Sequence, residues 1–78
     1  MKSPIQYLRE KAKLSRAELA KALDVSYSTL TAWELGTFKT LSTDCLFRVA
    51  KFFNVDPDWL LREYEKFRKE MLDHDQKD

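Results

Sequence analysis

Few side chains in this 78-residue chain have the types and spacing that covalent chemistry requires. Cys45 is the only cysteine and His74 the only histidine, so the sequence predicts no disulfide, no Cys/His nucleophilic pair and no metal site. A glycine-rich phosphate loop is also excluded, because Gly36 is the single glycine. What remains is a cluster of hydroxyl side chains within residues 26–31, and hydroxyls both donate and accept hydrogen bonds. The sequence therefore predicts a binding protein without a cofactor, and not an enzyme.

Composition and charge limit the elements that could position these hydroxyls. Hydrophobic residues make up 44% of the chain and charged residues 35%, with one Gly and two Pro, as is typical of one small helical domain with a single core. Residues 1–53 carry nine Lys or Arg against five acidic residues, whereas residues 54–78 carry five against eight. The excess of basic residues in residues 1–53 favours binding to a polyanion, although two ordinary solvated surfaces would give the same distribution of charge.

Two further features bear on the compartment. The sequence contains no apolar run long enough to cross a membrane, and its first residues do not have the pattern of a signal peptide. A lone cysteine is typical of a reducing environment. The sequence therefore predicts a cytoplasmic protein that does not bind a membrane.

Helix start and stop signals divide the chain into five predicted helices. Ser3-Pro4 and Asp56-Pro57 place a capping residue before a proline, which is the pattern that opens a helix. Ser15 and Glu18 have the spacing of a capping box, and Gly36 stands where the third helix should end. The predicted helices cover about residues 4–13, 16–23, 27–35, 43–53 and 57–72, which makes the fold class all-α.

The connection between the second and third helices is the most informative local feature. Residues 24–26, Asp-Val-Ser, join two short helices, and this arrangement is typical of a helix-turn-helix. A turn of that length makes the helices cross at a steep angle. The second of them can then project its outer face into a DNA major groove while the first crosses the backbone.

These residues resemble the phage-repressor/Cro (XRE-type) helix-turn-helix family. The resemblance covers residues 5–61 in the family's order and spacing, and it is carried by Leu14-Ser15-Arg16-Ala17-Glu18-Leu19-Ala20, Val25-Ser26-Tyr27-Ser28-Thr29-Leu30, Trp33-Glu34-Leu35-Gly36, Leu46-Phe47-Arg48-Val49-Ala50-Lys51 and Asn54-Val55-Asp56-Pro57-Asp58-Trp59-Leu60-Leu61. It implies a five-helix, lambda-repressor-like DNA-binding domain at residues 1–62, followed by a helical extension and polar tail at residues 63–78. The chain departs from the family at Arg16, where glutamine is usual, and at Asp24, where glycine is usual.

The resemblance also implies roles for individual residues, in three sets. The set expected to contact DNA bases is Tyr27, Ser28, Thr29, Thr31 and Ala32, whose hydroxyls and alanine methyl suit base edges. The set expected to contact phosphates is Arg16, Lys21, Thr37 and Lys39. Arg9 and Glu34 are expected to form a partly buried ion pair that fixes the recognition helix. An exposed face of small residues and ordinary solvated charges are the alternatives for the first two sets.

Apolar residues at helical spacing continue beyond the resemblance. If Leu60 and Leu61 complete the core, then Tyr64, Phe67 and Met71 form an exposed stripe. Such a stripe predicts a homodimer interface in which each copy meets its own counterpart. The alternative is that the last helix folds back on the first helix.

Taken together, these features predict a sequence-specific regulator of transcription that binds double-stranded DNA. The specific hypothesis is a prokaryotic or phage-encoded repressor that acts on the nucleoid as a homodimer on a palindromic operator, with no small-molecule effector. The alternative function is a protein-interaction module, such as an antitoxin or adaptor, with the same helical fold.

Overall fold

The computed structural model describes residues 2–36 and 42–76, and these residues form five helices. They are α1 (Pro4–Lys11), α2 (Arg16–Leu23), α3 (Tyr27–Leu35), α4 (Thr43–Phe53) and α5 (Pro57–Gln76). The predicted all-α class is confirmed, and α2, α3 and α4 begin and end at the predicted residues. The first helix ends two residues early because Lys13 has a left-handed backbone, with φ of 61°. The last helix continues four residues past its predicted end.

Side-chain caps explain why the helices begin where they do. The hydroxyls of Ser3, Ser15, Ser26 and Ser42 each accept a hydrogen bond from the backbone N–H three residues later. At Ser15 the capping box is complete, since the Glu18 carboxylate in turn accepts from the Ser15 N–H at 2.8 Å. These hydrogen bonds from Ser15 lower the pKa of Glu18.

The helices surround one core. Helix α5 packs against α4 and α1, α2 packs against α3 and α4, and α1 also contacts α3. Ile5, Leu19, Leu30, Val49 and Leu60 are completely buried, one from each helix. Every helix therefore depends on the others for the burial of its apolar face.

Helix α5 covers the carboxyl end of α3. Tyr64 and Phe67 are only 2% and 6% exposed and belong to the core, and the Tyr64 hydroxyl donates to the carbonyl of Trp33 at 2.7 Å. Gly36, which ends α3 with a left-handed φ of 72°, lies so close to α5 that a Cβ placed there would be 2.9 Å from the Phe67 ring and 3.0 Å from the sulfur of Met71. A glycine is required at this position both by the backbone conformation and by this contact.

These contacts correct the predicted exposed stripe. Tyr64 and Phe67 are buried within the monomer and Met71 packs against the same core, so the stripe does not lie open for a second copy. The prediction of exposure is wrong because the core is larger than assumed and extends past Leu60 and Leu61. The alternative, in which the last helix folds back on the first, describes the observed α1–α5 packing.

The described residues form neither a membrane-spanning helix nor a cluster of metal-binding side chains. Within residues 2–36 and 42–76, no helix is both long and apolar enough to cross a membrane. Over the same ranges, no three acidic, histidine or cysteine side chains come together in a way that could hold a metal ion.

The Tyr64 hydroxyl makes stability depend on pH in the alkaline range. Burial raises the pKa of Tyr64, and the nearby positive charge of Arg68 opposes this only in part. Because the folded state favours the protonated phenol, its contribution is present below the ordinary tyrosine pKa of about 10 and is lost as the pH rises through the folded-state value. We expect Tyr64→Phe to lower the free energy of unfolding by about 1 kcal/mol at neutral pH.

The same variant should lose less stability than the wild type when urea denaturation is repeated above pH 10. Tyr7→Phe is the matched control, because Tyr7 is half exposed and its ring is not part of the core. An alkaline loss of stability that is identical in wild type and Tyr64→Phe would contradict this assignment.

Candidate nucleic-acid interface

The turn between α2 and α3 sets the angle at which α3 is presented. Asp24 has a left-handed backbone, with φ of 58° and ψ of 46°, and the Val25 N–H donates to the Ala20 carbonyl at 3.0 Å. Asp is one of the few non-glycine residues that adopt this conformation readily. The Arg48 side chain from α4 also donates to the carbonyl of Leu23, the last residue of α2. The end of α2 is therefore held by its own turn and by a neighbouring helix.

Helix α3 has one buried face and one outward face. Leu30, Trp33 and Glu34 are buried, and Ser28, Ala32 and Leu35 lie on the opposite side at spacings of four and three residues. Tyr27 stands at the amino end of the helix with 55% of its surface exposed. Of the predicted base contacts, Ser28 and the partly covered Ala32 therefore share the outward face, and Tyr27 is exposed beside it at the amino end.

Thr29 and Thr31 differ from the other predicted base contacts. The Thr29 hydroxyl accepts a hydrogen bond from the Ser26 hydroxyl at 2.8 Å, so it forms part of the cap at the amino end of α3. The Thr31 hydroxyl is buried and has no hydrogen-bond partner among the described residues. Hydroxyls in these positions are not displayed outward as the side chains of Tyr27 and Ser28 are.

A buried carboxylate joins three helices at the other face of α3. Glu34 has a fully buried side chain, and Arg9 donates to it from Nε at 2.6 Å and from Nη2 at 3.3 Å. This is the predicted ion pair, and it is confirmed. Arg9 also donates from Nη1 to the Leu14 carbonyl at 2.8 Å, which ties it to the segment between α1 and α2.

Arg16 is a second partner of the same carboxylate. Its Nε donates to Glu34 Oε1 at 2.9 Å, and the hydrogen bond with Glu34, followed by one with Tyr27, raises the pKa of the guanidinium. The sequence resemblance placed Arg16 on a phosphate and gave no signal for this contact. Its side chain remains partly exposed, so the guanidinium lies at the surface as well as against Glu34.

The other predicted phosphate contacts are Lys21, Thr37 and Lys39. Lys21 is exposed in the last turn of α2, on the helix that precedes the recognition helix. Thr37 and Lys39, two of the predicted phosphate contacts, lie outside the described residues. Arg16 and Lys21 are therefore the predicted phosphate contacts whose positions the structure gives.

Sequence reasoning missed one residue on the outward face. Leu35 is 46% exposed and follows Ala32 by three residues, so it continues the line formed by Ser28 and Ala32. Its spacing from Ala32 was the available signal. Spacing alone does not mark a leucine as functional, because singly exposed leucines are common on protein surfaces.

The chain is similar in sequence to a known protein family. The model of the helix-turn-helix family matches residues 5–60, which is more than two thirds of the chain. No curated protein and no solved structure gives a significant match. The matched segment runs from α1 into the first turn of α5, so it includes the Glu34 network but ends before Tyr64 and Phe67.

The Glu34 network predicts a large effect of a small substitution. Glu34→Gln removes the negative charge between two guanidinium groups and should lower the free energy of unfolding by about 3 kcal/mol, because a buried charge then lacks its partner. Urea denaturation followed by tryptophan fluorescence would measure this. The control is Glu65→Gln, which removes an exposed carboxylate of α5 and should change the free energy of unfolding little. Equal effects of the two substitutions would contradict a structural role for Glu34.

Thr31 gives a prediction of the opposite sign. Thr31→Val replaces a buried hydroxyl that lacks a partner with a methyl group of similar volume, so we expect the free energy of unfolding to rise by about 1 kcal/mol. Thr31→Ser, which keeps the hydroxyl and removes the methyl, should lower it. If Thr31→Val instead weakened binding to a selected DNA duplex, the hydroxyl would be acting as a base contact.

Proposed function

The chain belongs to the helix-turn-helix family of DNA-binding regulators, and from that membership we propose that it represses transcription as a homodimer on a palindromic operator. The observation that carries the proposal is the presentation of α3. Its inner face is fixed by Glu34 and Trp33, whereas Tyr27 and Ser28 at its amino end are exposed. In helix-turn-helix proteins this end of the second helix meets the base edges of the major groove.

Basic side chains on α2, the helix before α3, support contact with the DNA backbone. Arg16 begins α2 and Lys21 lies in its last turn, and both reach the surface. We assign them to phosphates on the flank of the groove, where each charge would release about one counterion on binding. Thr37 and Lys39 follow α3 in the sequence and are assigned to the same role.

A dimer would double the number of base pairs that are read. One recognition helix covers only a few base pairs, and a two-fold dimer places two of them about 34 Å apart, one turn of DNA. Since Tyr64 and Phe67 are buried, the large apolar side chains exposed outside α3, among the described residues, are Tyr7, Phe47 and Phe52. Such a repressor would act on the nucleoid of a prokaryotic cell.

The alternative proposal is a protein-interaction module, such as an antitoxin or adaptor. The observation that favours it is the exposure of Phe47 and Phe52 on α4, because large exposed aromatic residues are common in protein interfaces. The two functions differ in their response to salt. Binding of a duplex of random sequence to a DNA-binding protein weakens steeply as the salt concentration rises.

Lys21 provides a quantitative form of this test. Lys21→Ala should reduce the slope of log K against log salt by about one unit and weaken binding to all duplexes alike. It is a cleaner substitution than Arg16→Ala, which would also break a contact to Glu34. Lys11→Ala, an exposed cation in the last turn of α1, is the control and should leave the slope unchanged. The absence of duplex binding even at low salt would favour the interaction module.

The outward face of α3 is tested by Ala32→Glu. A carboxylate in a groove lined by phosphates and base acceptors costs several kcal/mol, so affinity for the selected operator should fall by roughly 100-fold or more. The helical circular dichroism signal and the melting temperature should change little. Ala12→Glu adds the same charge at the end of α1 and serves as control. Wild-type affinity in Ala32→Glu would show that α3 does not enter the groove.

Dimer formation has its own measurement. We expect sedimentation of the full chain at tens of micromolar to give the mass of a dimer, and Phe47→Ser or Phe52→Ser to shift the mass toward the monomer. A monomeric mass at these concentrations, both free and bound to a palindromic duplex, would contradict the homodimer.

A further inference from the structure

The outward face of α3 lacks the side chains that most often read DNA bases. Arg, Lys, Asn and Gln form the bidentate hydrogen bonds that distinguish guanine and adenine. None of them occurs in Tyr27–Leu35, and the one charged residue of this helix, Glu34, is buried on the opposite face. Discrimination between base pairs by α3 must therefore depend on contacts other than bidentate hydrogen bonds.

The hydroxyl groups of α3 supply only part of that chemistry. The Thr29 hydroxyl is engaged with Ser26, and the Thr31 hydroxyl is buried. Ser28 therefore carries the exposed hydroxyl on the outward face of α3, with Tyr27 beside it at the amino end of the helix. A single hydroxyl both donates and accepts, so it discriminates weakly between bases.

The rest of the face is apolar. Ala32 follows Ser28 by four residues, and Leu35 follows Ala32 by three, so their side chains are neighbours on the helix surface. Leu35 exposes 46% of its surface although it lies within a helix-turn-helix that otherwise buries its leucines. We call Ala32 and Leu35 the apolar strip.

The position of the strip is fixed by the residues next to it. Glu34 is held by Arg9 and Arg16, the Trp33 carbonyl accepts from Tyr64, and Gly36 packs against the Phe67 ring. Leu35 stands between these residues, so its backbone has little freedom. A fixed apolar group is suited to a defined contact in the groove, because little entropy is lost when it binds.

We propose that the apolar strip recognises thymine methyl groups, so that this protein selects sites with A·T pairs opposite Ala32 and Leu35. The inference rests on the proposed DNA-binding function. The C5 methyl of thymine is the apolar group on the major-groove edge of a base pair, and contact with an alanine or leucine side chain removes both surfaces from water. Along the helix axis the two residues are about 4.5 Å apart, so both side chains can lie in one groove.

The test removes the methyl groups and nothing else. The full-length protein is first used to select duplexes from a library with a randomised centre, and the consensus duplex is then synthesised with each thymine replaced singly by deoxyuracil. For the wild type we expect roughly fourfold weaker binding at the positions that face the strip, the effect of one methylene-sized apolar group. Replacement of the other thymines should have no effect.

Variants assign the effect to Leu35. Leu35→Ala should bind the thymine duplex more weakly and lose its sensitivity to deoxyuracil at one position, whereas Leu35→Met, which keeps an apolar side chain of similar volume, should retain it. Glu65→Ala, which shortens an exposed side chain of α5 outside the proposed DNA and dimer surfaces, should behave as the wild type does.

The possible outcomes distinguish a failure of the proposed DNA-binding function from a failure of the apolar-strip inference. If the library yields no enriched sequence, the proposed sequence-specific function fails. If a consensus is enriched but deoxyuracil has no effect at any position, DNA recognition stands and the apolar-strip inference is overturned. Equal sensitivity of wild type and Leu35→Ala at every position would likewise overturn it.

Discussion

The fold depends on a carboxylate that has no access to water. A buried charge is expensive unless it is paired and hydrogen-bonded, and Glu34 meets this requirement only when Arg9 of α1 and Arg16 of α2 both reach α3. The three helices must therefore take one arrangement. Replacing such a network by apolar residues often costs no stability, so we interpret its contribution as the choice of one arrangement among several compact ones. That arrangement is the one in which the outer face of α3 is left open.

The two faces of α3 consequently differ in how much they contribute to the core. The buried contacts with the core lie on the inner face and at the carboxyl end, where Leu30, Trp33 and Glu34 are buried and α5 packs against Gly36. The outward face contributes little to the core. Substitutions there can change what the protein binds without changing how it folds, which is the usual basis of divergence among proteins that share one scaffold.

The sequence predicted local structure well because its signals are local. Serine caps, the Ser15–Glu18 box and Gly36 determine helix ends through hydrogen bonds that span three or four residues. The left-handed residue that ends α1 is Lys13, and no composition rule marks a lysine for that role. The pairing of Arg9 with Glu34 was predicted by resemblance, whereas the contact of Arg16 with Glu34 depends on how two helices pack. Helical spacing identified Tyr64 and Phe67 as one stripe, but spacing alone does not say which surface covers a stripe.

Helix α5 also determines when the carboxyl end of α3 acquires its packing partners. The hydrogen bond from Tyr64 to Trp33 joins residues that are 31 positions apart in the chain, and the Phe67–Gly36 contact is just as distant. Such contacts pay the entropy of loop closure before they contribute stability, so they form late in folding. During synthesis the ribosome must therefore add α5 before the carboxyl end of α3 has its packing partner. The α3 surface that we propose reads DNA is therefore translated before the α5 residues that pack against its carboxyl end.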